Sequence, residues 1–100
     1  MHELALSRAI VDAALRHAEG RPVERVHVRL GDLRQASPGS LAFYFEIVAR
    51  DTDCEGAELE IETLTGDQLE VAWIDVTDTA RRRADFRRIA TEIGPSAGGV

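Results

Sequence analysis

One hundred residues suffice for one domain with a modest core and not for two. A 44% apolar share is that of a globular chain, and the formal charge of −6 argues against nucleic acid as the general partner. No apolar run approaches the roughly 18 residues of a membrane span, no signal-peptide pattern opens the chain, and a lone Cys54 can form no internal disulfide. A cytoplasmic setting is the expectation. The charge is also unevenly spread. Ten acids and no arginine or lysine fall between Asp51 and Asp78, and Arg81, Arg82, Arg83, Arg87 and Arg88 follow.

Residues 3 to 19 predict an amphipathic helix. Leu4, Val11, Ala14, Leu15 and Ala18 recur at three- and four-residue steps, flanked by Leu6 and Ile10, and Ser7, Arg8, Asp12, Arg16 and Glu19 take the polar side. Gly20 ends it ahead of Pro22. Val23 to Leu30 alternates, with Val26, Val28 and Leu30 facing in and Arg25, His27 and Arg29 facing out, as in a half-buried strand. Two flanking arginines disfavour the charged form of His27, and no ligand cluster is evident around it. Ser37-Pro38 opens a second helix as N-cap and first helical residue, with Leu41, Phe45 and Val48 as its buried stripe. The cluster Phe43, Tyr44 and Phe45 reads as core.

Asp51 to Gly56 reads as a polar loop in which Cys54 is incidental. Ala57 to Leu64 alternates again, Leu59 and Ile61 inward and Glu58, Glu60 and Glu62 outward. Thr65-Gly66-Asp67 suggests a hairpin into a return strand from Leu69 to Val76, with Leu69, Val71 and Trp73 on one face and Ala72, Ile74 and Val76 on the other. The strand–helix–strand order favours a parallel crossover between the first two strands, with arginines of one facing glutamates of the next. From Asp78 or Thr79 to Ile93, the spacing of Ala80, Phe86, Ile89, Ala90 and Ile93 predicts a third, arginine-rich helix that ends at Gly94-Pro95. The fold class is therefore α/β of the two-layer α+β kind: a small three-stranded mixed sheet packed by two helices, plus a C-terminal Arg-rich helix. The expected divisions are 1–77 for the domain, 78–93 for the last helix and 94–100 for a disordered tail.

The chain start carries the most specific chemistry. The imidazole of His2 lies within chelate reach of the Met1 amine and the amide between them. Nickel(II) and copper(II) favour such nitrogen donors in a flat arrangement. Taken alone, a histidine at position two is more often a solvated terminus than a ligand. No Ser/His/Asp, Cys/His or paired-carboxylate constellation points to catalysis.

Four stretches in order resemble one family: Met1-His2-Glu3-Leu4 before an amphipathic helix, Leu30-Gly31-Asp32-Leu33 closing a strand, Pro38 opening Leu41-Ala42-Phe43-Tyr44-Phe45-Glu46, and Glu55 to Glu62. The chain is similar over Met1 to about Val76 to the hydrogenase nickel-insertion factors HypA. The resemblance implies a small α/β metallochaperone that holds nickel near its N-terminus. It implies His2 as side-chain ligand, the Met1 amine and the backbone of His2 and Glu3 as nitrogen donors, and Glu3 as a supporting residue. It also implies delivery to the hydrogenase large subunit, or to urease, with the GTPase HypB.

The departures carry information too. The family usually has a zinc module on two CxxC pairs between the second and third strands, and Thr65-Gly66-Asp67-Gln68 stands there instead. One cysteine cannot make a tetrahedral thiolate site within a monomer, so no structural zinc is expected. The competing reading is an interaction module that kept the fold without nickel delivery, its acidic face and arginine-rich helix serving self-association or a maturation complex. Nucleic-acid binding through Arg81 to Arg88 ranks below both, since those arginines are more readily matched by the chain's own carboxylates.

Overall fold

The computed structural model describes residues 2–77 and 86–93, and for His2 and 86–93 only the backbone is described. The elements are α1 (His2–Ala18), β1 (Val23–Gly31), a 3-10 turn (Asp32–Arg34), α2 (Pro38–Ala49), β2 (Glu58–Leu64), β3 (Leu69–Thr77) and β4 (Phe86–Ile93). The two helices cover one face of a mixed sheet in the order β2-β1-β3-β4. The two-layer α+β class follows from the sequence as expected. So does the parallel pairing of β1 with β2, in unbroken register from Arg25 opposite Glu58 to Gly31 opposite Leu64.

The inward residues of β1, Val26, Val28 and Leu30, meet Ile10, Val11 and Ala14 of α1 and Leu41 and Phe45 of α2 in one core. The buried stripe of α1 runs through Leu6, Ile10, Ala13 and Ala14 because the helix touches both the sheet and α2. Ser7, expected on the wet side, is fully buried on the α2 side and donates to the Leu41 carbonyl at 2.9 Å. In α2 the buried residues are Leu41, Phe45 and Ala49. Phe43 is not core as the aromatic cluster suggested. It is 58% exposed and meets Tyr44 edge-on at 5.3 Å.

Three sequence expectations about the second half are corrected. First, Thr65-Gly66-Asp67 does not close a hairpin, since β3 pairs antiparallel with β1 rather than with β2. The connection steps across the end of β1. Second, Val71 and Trp73 lie on opposite faces. Val71 pairs with Val28 and Trp73 with His27, so two steps along β3 match one along β1, and the extra residue at Ala72 is a bulge that turns Trp73 to the outer face. Third, the predicted helix over 78–93 is a strand in its second half: β4 pairs antiparallel with β3, Thr77 opposite Phe86 and Val71 opposite Ile93. Residues 78–85 of that expectation, and the tail 94–100, lie outside the described residues. The strand wins because β3, apolar on both faces, would otherwise present a raw edge, and β-branched Ile89, Thr91 and Ile93 satisfy a period of two as well as the helical spacing does.

Cys54 is also not incidental. It is fully buried in the core cluster, its amide bonded to the Thr52 hydroxyl at 3.0 Å and its carbonyl to the Ala57 amide at 2.9 Å. Burial, helped by the neighbouring Asp53 carboxylate, pushes its thiol up from 9.0 to about 12. The folded chain therefore keeps the proton where the unfolded chain loses it. Stability from this group is whole below pH 9.0 and drains away as pH rises towards about 12. The slope is about 1.4 kcal/mol per pH unit. Urea unfolding across that window should show the loss in the natural chain and not in Cys54→Ala, and thiol reagents should label Cys54 only on unfolding.

Candidate functional site

Helix α1 begins beside the start of α2, and side chains fix that arrangement. The Glu3 carboxylate accepts the Ser37 amide at 3.2 Å, bringing a negative charge to the head of α2 where the helix dipole favours it. Ser37 in turn caps α2, accepting the Ser40 amide through its hydroxyl at 3.3 Å, with Pro38 as first helical residue. One turn further along, the bond from Ser7 to Leu41 ties the same two helices together. The head of α1 is thus pinned at Glu3, with His2 as the first residue of the helix. Met1 lies outside the described residues. The first turn of a helix leaves its amide N–H groups without intrahelical acceptors, so the amides of His2 and Glu3 take no part in the ladder of α1.

The outer sheet face holds a second constellation. Arg25 reaches Glu58 at 3.4 Å, Glu60 at 3.1 Å and the buried Asp75 at 3.2 Å, while Arg29 reaches Glu62 and Glu70, each at 3.6 Å. The pairs with Glu58, Glu60 and Glu62 are the cross-strand charge pairing that the alternation of β1 and β2 foretold, and those with Asp75 and Glu70 are added by β3. Between the arginines, His27 sits with Nδ1 3.4 Å from Glu60 and Nε2 3.2 Å from Glu62, its ring stacked on Trp73 at 3.9 Å and 9°. The sequence placed two arginines beside this histidine, and the structure adds carboxylates next to both of its nitrogens. The alternating pattern could have shown the Glu60 and Glu62 contacts, but the Trp73 stack depends on the bulge. Each nitrogen meets a different carboxylate, and among the described residues no group of three or more His, Cys, Asp or Glu side chains is placed to hold a metal ion.

A third feature closes the far end of β1. Asp32 accepts the Gly66 amide at 3.0 Å, Gly66 accepts the Leu33 amide at 2.7 Å, Gln68 accepts the Gly31 amide at 2.7 Å, and Arg34 donates to the Asp67 carbonyl at 2.7 Å. Leu30-Gly31-Asp32-Leu33, singled out in the sequence, is therefore the seat on which the β2–β3 connection rests.

The docked helix heads, the Gly31-Asp32 seat and β2 carry the four stretches that the sequence brought together. The family model for hydrogenase/urease nickel-incorporation metallochaperones, HypA, matches residues 1–70 and so includes all four. The chain belongs to the HypA family. Similar proteins named hydrogenase maturation factor HypA include those of Geobacter metallireducens, 39% identical over 66 residues (66% of this chain, 60% of that protein), and of Nostoc sp. strain PCC 7120, 36% identical over 66 residues (66% and 58%). That of Archaeoglobus fulgidus is 39% identical over 70 residues (67% and 64%). The chain thus spans less than two thirds of the length of these HypA relatives. The family match ends at residue 70, early in β3, so β4 lies beyond it. Among the described residues no helix is long and apolar enough to cross a membrane.

Proposed function

We propose that this chain is a nickel metallochaperone that takes Ni(II) at its N-terminus and passes it on for maturation of nickel–iron hydrogenase, or of urease. The supporting observation is family membership over residues 1–70, which spans the N-terminal stretch and the helix pair that carries it. In this reading the work is binding and transfer rather than catalysis. The GTPase HypB and the hydrogenase large subunit are the partners, and the cytoplasm is the setting.

Four nitrogens supply the binding: the Met1 amine, the amides of His2 and Glu3, and the His2 imidazole. Two amides that give up their protons offset the charge of the dication, and a flat set of nitrogen donors suits nickel(II). Helical dihedrals do not place successive backbone nitrogens in one plane, so loading requires the first turn to open. The Glu3–Ser37 contact stops the opening from running down α1. Glu3 then serves the site as an anchor, and a partner that loosened this contact would ease release of the ion.

A resident zinc does not suit these residues. A zinc site built on two CxxC pairs needs four thiolates and the chain has one cysteine, which is buried with its thiol held protonated. Purified chain should therefore carry no stoichiometric zinc by elemental analysis, and one zinc per chain would refute this. A short glycine–serine extension ahead of Met1 should abolish calorimetric nickel binding while leaving the unfolding midpoint unchanged. Full binding by the extended chain would remove the terminal amine from the ligand set.

A further inference from the structure

Strand β2 is bonded to β1 along one side and forms an edge of the sheet among the described residues. Edge strands are commonly blunted by proline, lysine or a bulge. The β2 sequence, Glu-Leu-Glu-Ile-Glu-Thr-Leu, has no proline or lysine, and its register with β1 runs without a shift over all seven residues. It is a straight, regular template. What guards it is charge. A second β2 brought alongside would set glutamates against glutamates, so the edge refuses its own kind.

The same charge defines what it accepts. On the outer face, Glu58, Glu60, Glu62, Glu70 and Asp75 surround the guanidinium groups of Arg25 and Arg29, so among the described side chains of β1, β2 and β3 carboxylates outnumber guanidiniums there. On the inner side, next to the same edge, an open groove of about 420 Å³ lies between α2 and the start of β2, lined by the apolar Ala42, Phe45, Ala49, Ala57 and Leu59 and also by the charged Glu46, Arg50 and Glu55. A strand added to β2 would point alternate side chains to these two surfaces.

We propose that β2 is a docking edge for an extended segment of a partner protein in which arginine or lysine alternates with apolar residues. The backbone of the segment continues the sheet. Its basic side chains lie over Glu58, Glu60 and Glu62, and its apolar ones enter the groove beside Phe45. Main-chain bonds supply much of the affinity, and the alternation supplies the selectivity. The site is separate from the chain start and independent of nickel.

The test uses the full chain and two short fluorescein-labelled peptides of equal composition, one alternating arginine with valine and one with the arginines and valines in separate blocks. Anisotropy should show the alternating peptide binding at least about tenfold more tightly, with an affinity that falls as salt rises. Amide shift perturbations should centre on residues 57–64. Ala42→Gln, which fills the groove from an exposed helix position, should weaken binding without moving the unfolding midpoint. The pair Glu58→Gln with Glu62→Gln should weaken it too while the chain stays folded, with only the small midpoint shift that loss of exposed ion pairs brings. His2→Ala should bind the peptide normally. Equal affinity for both peptides, no binding of either, shifts centred away from β2, or an edge already occupied by self-association would overturn the proposal.

Discussion

A His2→Ala chain is expected to lose nickel affinity by on the order of a hundredfold or more, because one of the four proposed nitrogens disappears and a flat donor set cannot be completed. Calorimetry would read the loss, and so would the weakening of the visible absorption of a flat nickel complex. Folding should not respond. Position 2 opens α1, and alanine is the better helix former there. The contrast with Glu3 sharpens the test. Glu3→Ala removes the acceptor of the Ser37 amide and should cost about 1 kcal/mol or less of stability, with a smaller, indirect effect on nickel. If instead His2→Ala bound nickel as the natural chain does while Glu3→Ala abolished binding, the ligand assignment would have to be reversed. Nickel binding untouched by either change would place the ion elsewhere on the chain.

How far the sequence foretold this molecule depended on whether a residue's fate was local. Val26, Val28 and Leu30 against Arg25, His27 and Arg29 declared a half-buried strand, and Ser37-Pro38 declared a helix start, since both patterns are set by neighbours a few positions away. The side chain of Ser7 could not be placed that way. A hydroxyl among charged residues reads as wet, and only the approach of the Leu41 carbonyl, 34 positions on, gives it a buried partner. Trp73 illustrates the same limit within a strand. A single inserted residue at Ala72 reverses the face of everything before it, and no period-two count can detect that. For Phe86 to Ile93 both periods fitted, and the unpaired edge of β3 decided between them. The setting of the chain start was not legible: the hold of Glu3 on Ser37 joins residues that no spacing rule connects.

Gly31→Ala should be among the most damaging single-methyl changes available in the fold. Gly31 has ordinary extended dihedrals, φ −76° and ψ 143°, so glycine is not needed there for conformational freedom. The demand is for space. An added Cβ would meet the Gly66 carbonyl oxygen at 2.3 Å, its carbon at 2.5 Å and the Gln68 side-chain oxygen at 2.6 Å. The Gln68 side chain can swing away, but the Gly66 backbone cannot move without stretching the bonds from the Leu33 and Gly31 amides that hold the connection on its seat. Overpacking combined with loss of those bonds should cost about 3–4 kcal/mol. Against a total of about 5–15 kcal/mol, that lowers the unfolding midpoint by roughly 12 °C or more. Gly56→Ala separates the two kinds of glycine. There φ is +81° and nothing lies within 4 Å of the new methyl, so only backbone strain of about 1 kcal/mol is expected. Thermal melts of the two variants should therefore differ severalfold in the size of the shift. Equal shifts would mean that the β2–β3 connection yields freely, and the close crossing over Gly31 would no longer account for that glycine.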